Sequence, residues 1–237
     1  MRNWLQQENH AILVVFILTA IVAMESIFSP IAPFFVFYGV LAIAIPLIAG
    51  GYRFGRMGAA FRGHWRVFIA VLIVAFFFDV LFVGPIWDAI AQALGHQGSA
   101  YWSYSAAIDA LLGKAGTRLG IGKDAAQLIF AGYFILWAPI VEELFYRGYL
   151  FSSLRKRHSL TTAALVSAAF FGIRHATHFL FLFPAYPLIA AMVWVLDTFI
   201  LGLAYAYLYE KTESLWPPFL AHLAINVTGF ALSALAT

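Results

Sequence analysis

The 237-residue chain contains no cysteine. That absence excludes a disulfide scaffold, a thiolate zinc site and a cysteine nucleophile. Charge is also scarce: only 11% of residues are Asp, Glu, Lys or Arg, against about 25% in an ordinary soluble domain. With 63% hydrophobic residues and a mean hydropathy of +0.88, the chain lacks the polar surface that a water-soluble globule needs. A soluble enzyme and a disordered chain are both excluded. Long polar stretches are missing too, apart from residues 88–124, and there is no internal repeat and no low-complexity tract. The 14 Lys and Arg give a net charge of +3. In so apolar a chain they read as membrane-topology signals rather than as a nucleic-acid surface, so no nucleic-acid partner is expected.

What the chain has in abundance is long apolar runs. A hydrocarbon core about 30 Å thick is crossed by about 20 apolar helical residues. Seven runs qualify, at 11–29, 32–50, 67–87, 125–153, 160–177, 186–209 and 216–235. The short apolar segment Phe179–Pro184 is either a re-entrant turn or an extension of the fifth run, so the count is seven to eight. The expected fold is all-α, a polytopic transmembrane helix bundle in the lipid bilayer. It forms one integrated membrane domain, with residues 1–124 as supporting helices and an outer loop, and 125–237 as the working core. Ser103–Leu112 suggests a short surface helix within the polar stretch. The first run has no small-residue cleavage site and reads as a retained helix.

Basic residues orient the bundle. With the amino terminus inside, Arg2, Arg53, Arg56, Arg62, Arg66, Arg155, Lys156, Arg157 and Lys211 lie inside, and Lys114, Arg118 and Lys123 outside. That bias predicts a cytoplasmic amino terminus in a multi-pass protein of the cell membrane. Trp4, Trp65, Trp87 and Trp216 fall near run ends, where an amphipathic ring suits the interface.

Ionisable residues inside a bilayer are costly and point to function. Here they are Glu25, Asp79, Glu142, Glu143, Arg147, Arg174, His175, His178, Asp197 and His222, with the amide Asn226. Most lie in the last four runs. Glu143 and Arg147 are four apart, share a helical face and can pair. Glu142 points about 100° away and has no such partner in its own helix. An unpaired, partly desolvated carboxylate can serve as a base for water. Spacing alone leaves equally open that both glutamates are structural, paired to Arg147 and to the basic run Arg155–Arg157.

His175 and His178 are three apart on one face, and Gly172 permits close helix approach. Two histidines alone are a weak metal signal, and His178 reads as a boundary residue. Pro217 and Pro218 suit a helix first turn. His222 and Asn226, four apart, can both donate hydrogen bonds to a developing oxyanion, although such a pair can also simply join helices. Counting 1.5 Å per residue from the inner ends puts Glu142, His175, Asp197 and Asp79 each about 20 Å deep, with His222 shallower at about 10 Å.

The three elements Glu142-Glu143…Arg147, Phe171…His175 and His222…Asn226, in this order on successive helices, resemble the CPBP family. That family comprises intramembrane CaaX proteases, bacteriocin-processing enzymes and abortive-infection proteins. The resemblance covers about residues 125–230. It implies an intramembrane endopeptidase hydrolysing a peptide bond of a membrane-associated protein or peptide. It implies Glu142 and His175 as the water-activating pair, His222 and Asn226 as oxyanion holders, and Glu143 and Arg147 as braces. The expected cofactor is none. The alternative is a divalent metal such as zinc on Glu142, His175 and His222. Arg174, His178 and Asp197 lie outside the family pattern, and Arg174–Asp197 reads as a buried ion pair.

Two other functions compete. A catalytically silent membrane adaptor would be expected to lose motif residues, and this chain retains them. A proton-coupled transporter would use Glu142, His175 and Asp197 as a relay, but inverted repeats and paired broken helices are not seen.

Overall fold

A computed structural model describes residues 1–28, 33–93, 120–181 and 188–235. Among these residues there is no strand. After a one-turn helix Arg2–Leu5 come α1 (Glu8–Phe28) and α2 (Pro33–Ala49). Next is α3 (Met57–Phe78), which continues through a π-helical stretch Asp79–Val83 into Gly84–Ala93. A long helix, α4, opens with Lys123–Gly132 and ends with Ser152–Leu154. Then follow α5 (Leu160–Phe181), α6 (Leu188–Thr212) and α7 (Trp216–Leu235). Among the described residues, seven long helices thus overlap the seven apolar runs. The third begins earlier than its run, because polar Arg62, His64 and Arg66 continue the same helix beyond the apolar part. Phe179–Phe181 extends α5, while residues 182–187 and the proposed surface helix Ser103–Leu112 lie outside the described residues. By length and composition, Met57–Ile86, Asp124–Leu154 and Met192–Thr212 suffice to cross a membrane, with shorter apolar stretches at Glu8–Ala23 and Tyr38–Ala49.

The expected cytoplasmic loops gather at one end of the bundle. His158 Nε2 lies 3.0 Å from Glu8, and Tyr149 donates to the Leu5 carbonyl at 2.9 Å. Arg155 reaches Glu210 at 2.7 Å, and the hydrogen bond to this carboxylate holds the guanidinium pKa above its usual value. Helix α2 ends where Gly50 takes φ +68°, a left-handed cap that any Cβ would strain. The loop that follows is stapled to the start of α7. The Leu215 amide donates to the Arg53 carbonyl at 2.8 Å, Ser214 Oγ bonds the Phe54 carbonyl, and Arg53 pairs with Glu213 at 2.8 Å. These bonds fix where α7 begins, and therefore the level of His222.

We expect reporter fusions at Arg62 and Arg157 to read as cytoplasmic, and a fusion at Gly98 as external. A cytoplasmic signal at Gly98 would overturn the orientation drawn from the basic residues.

Helices α5 and α6 approach each other closely at two glycines. A Cβ on Gly172 would sit 2.7 Å from the Val195 carbonyl oxygen, and one on Gly202 would sit 3.0 Å from Ala168 Cβ. The backbone cannot yield as a side chain would. Gly172→Ala is therefore expected to destabilise the bundle by about 1–3 kcal/mol, the usual cost of overpacking. Thermal unfolding in detergent would measure it, and an unchanged midpoint would show that the helices separate freely.

Candidate active site

The site is built on irregular turns of α4. Pro139 lacks an N–H and its ring crowds the carbonyl of residue 135. The helix answers with a wide π-helical stretch at Tyr133–Trp137, a short α-helical piece Ala138–Glu142, and a second π-helical stretch Glu143–Phe151. Carbonyls in such stretches are met by side chains from neighbouring turns and helices, as bilayer burial requires. Asn226 Nδ2 donates to the Phe134 carbonyl at 2.8 Å, Ser167 Oγ to Tyr146 at 2.9 Å and Ser152 Oγ to Arg147 at 3.0 Å. The change from α to π geometry falls between Glu142 and Glu143. A wider turn makes the angular step smaller than the α-helical 100°. Both carboxylates therefore approach one histidine, His222.

Glu143 Oε1 accepts from Arg147 Nη1 at 2.9 Å and from His222 Nδ1, also at 2.9 Å. The expected Glu143–Arg147 pair is present, and Arg147 is wholly buried. Its Nη2 donates to the Gly202 carbonyl at 3.1 Å, and its guanidinium carbon lies 4.4 Å from the Phe171 ring and 5.1 Å from the Tyr205 ring. Phe171, the aromatic of the second motif, also packs edge-on against His175 and His222, with centroids 4.6 and 5.8 Å away. Tyr205 stacks on His222 at 5.1 Å.

Glu142 is also buried, but it is not free, and the reading that left it unpaired is corrected. Arg174 Nη1, delivered by α5, stands 3.4 Å from Glu142 Oε1. Spacing within α4 could not reveal a partner on another helix. The other oxygen, Oε2, faces His222 Nε2 at 3.7 Å and His175 Nε2 at 3.9 Å. His175 Nδ1 lies 2.7 Å from the Phe171 carbonyl. A carbonyl only accepts, so Nδ1 carries the proton and, in the neutral ring, Nε2 presents a lone pair. Separations of 3.7 and 3.9 Å are too long for direct hydrogen bonds but suit a shared water. A water bonded to two such atoms at about 2.8 Å would subtend roughly 80–90°.

His222, expected to lie shallower, joins this layer, because the stapled loop sets where α7 starts. Asn226 lies one turn further along α7, with one amide hydrogen engaged by Phe134. The site thus gathers Glu142, Glu143, Arg147, His175 and His222, with Asn226 beside the first π-helical stretch. Asp197 is buried on α6. The side chains of Glu25, Asp79 and His178 lie outside the described residues. The motif reading missed the Arg174–Glu142 contact and the tyrosine ring beside it. The Tyr38 ring lies 5.5 Å from the Arg174 guanidinium carbon. The available signal was a buried cation immediately before a motif histidine.

The donor set suits a divalent metal poorly. Glu142, His175 and His222 lie near one another, but among the described residues no three His, Cys, Asp or Glu side chains form a group that could hold a metal ion. Glu142, the one carboxylate near both Nε2 atoms, already faces a guanidinium.

Residues 124–228 match the family model described as type II CAAX prenyl endopeptidase Rce1-like. The chain is also 33% identical over 89 residues to the putative membrane peptidase YdiL of Bacillus subtilis (strain 168). That alignment covers 37% of this chain and 30% of the relative, so the match spans under a third of the relative's length. No solved structure matches the chain.

Proposed function

We propose that the protein is an intramembrane endopeptidase, a reading supported by the match of residues 124–228 to the Rce1-like type II CAAX prenyl endopeptidase model. Its substrate class is a membrane-associated protein or peptide. The single observation that carries this reading is the convergence of Glu142 Oε2 with the Nε2 atoms of His175 and His222 at water-bridging separations.

In the proposed reaction, water held by Glu142 and His175 loses a proton to Glu142 as its oxygen attacks the scissile carbonyl. The carbonyl electrons move to oxygen, and His222 and Asn226 donate to that oxyanion. For His222 this requires the imidazolium form. Its Nδ1 is committed to Glu143, and only the doubly protonated ring can donate from Nε2 as well. Glu143 supplies the counter-charge, and Arg147 braces Glu143. The tetrahedral intermediate then collapses, the C–N bond breaks, and the Glu142 proton passes to the leaving amine. No metal takes part in this scheme. The polypeptide lies in the bilayer of the cell membrane with its amino terminus in the cytoplasm.

The test compares membrane and secreted peptides from cells producing the wild type with those from cells producing equal amounts of Glu142→Gln. Peptides with new termini should appear only with the wild type. Identical peptide sets would favour an adaptor that acts by binding.

A further inference from the structure

We propose that Arg174 is a positioning residue for Glu142, and that Tyr38, from the supporting half of the chain, holds Arg174 in place. The inference rests on the reading of Glu142 as the base. The terminal torsion of a glutamate is soft and nearly two-fold, so a carboxylate held at one oxygen swings. Here the two oxygens have different neighbours. Oε1 faces Arg174 Nη1 at 3.4 Å, and Oε2 faces the two histidines at 3.7 and 3.9 Å. Consecutive positions of α5 supply both sides, since Arg174 and His175 project about 100° apart. The guanidinium approaches the carboxylate from the flank and leaves the second oxygen for water.

The guanidinium is itself restrained. It is 3% exposed, and its carbon lies 5.5 Å from the Tyr38 ring. The Tyr38 hydroxyl in turn lies 3.4 Å from that of Tyr146 on α4. A planar cation against an aromatic face keeps its orientation, which a flexible ammonium would not. Tyr38 lies outside the segment 124–228 that matches the protease family. This contact gives the amino-terminal half a direct part in the geometry of catalysis.

The experiment measures kcat, KM and thermal unfolding of purified full-length protein in detergent, on a substrate peptide found by the comparison above. Arg174→Gln is expected to lower kcat by about 10- to 100-fold with KM within about twofold, the scale of a misplaced reacting group. Arg174→Lys should give an intermediate kcat, because charge returns without the planar fork. Tyr38→Leu should lower kcat by about three- to tenfold, and Tyr38→Phe, which keeps the aromatic face, should be near wild type. Wild-type kcat in Arg174→Gln would overturn the proposal. If that variant does not fold, Arg174→Lys decides alone: a reduced kcat at unchanged KM and unfolding midpoint supports positioning, and a wild-type kcat overturns it. Glu142→Gln runs in parallel. Full activity there would remove the base assignment itself, whatever Arg174 does.

Discussion

Glu142→Gln is expected to lower peptide cleavage by about 10²–10⁴-fold, the contribution typical of a positioned general base. The amide cannot take a proton from water, yet it keeps the shape of the carboxylate. Its effect on stability should be smaller. The lost charge faces one guanidinium at 3.4 Å, a longer contact than the two 2.9 Å bonds that Glu143 accepts. A looser pair loses less than the roughly 3–5 kcal/mol of a closely bonded buried pair when one partner is neutralised. Cleavage rate and thermal unfolding in detergent should be measured on the same preparation. A variant that folds and cleaves at the wild-type rate would remove Glu142 from the reaction.

Glu143→Gln should differ in kind. One oxygen of Glu143 serves both Arg147 and His222, each at 2.9 Å. Neutralising it strands a guanidinium that is fully buried and left with the Gly202 carbonyl and two aromatic faces. Removing one partner of such a pair costs about 3–5 kcal/mol. The same substitution withdraws the counter-charge from His222, so activity should fall with stability. Glu143→Gln combined with Arg147→Met should recover much of the stability, because no unpaired charge remains, but not the activity. Equal destabilisation by Glu142→Gln and Glu143→Gln would show that the two carboxylates do not divide their roles this way.

The helix order was legible because each bilayer-crossing run is written in composition, and composition is local. The Glu143–Arg147 pair was legible for the same reason, since both ends lie one turn apart on one helix. The partner of Glu142 was not legible. Arg174 reaches it from another helix, and within-helix spacing cannot register two helices against each other. Depth counting failed for His222 in a related way. The start of α7 is set by hydrogen bonds from the loop after α2, which no periodicity reports. The π-helical stretches were also invisible. The sequence did not show that widened turns on either side of Pro139 would bring neighbouring glutamates toward one histidine. Tyr38 lay in a run that read only as support.

The most direct measurement is cleavage by purified protein exhaustively treated with a strong chelator, with Glu142→Gln as the control. A catalytic zinc site usually takes three protein ligands and an open position. Glu142, His175 and His222 would be the three here, and Glu142 as a ligand could not also be the base. The proposed reaction uses Glu142 and His175 on water and His222 and Asn226 on the oxyanion. Chelated wild-type protein should therefore retain most of its activity while Glu142→Gln has almost none. Loss of activity on chelation, with recovery on stoichiometric zinc, would contradict it and make the histidines ligands.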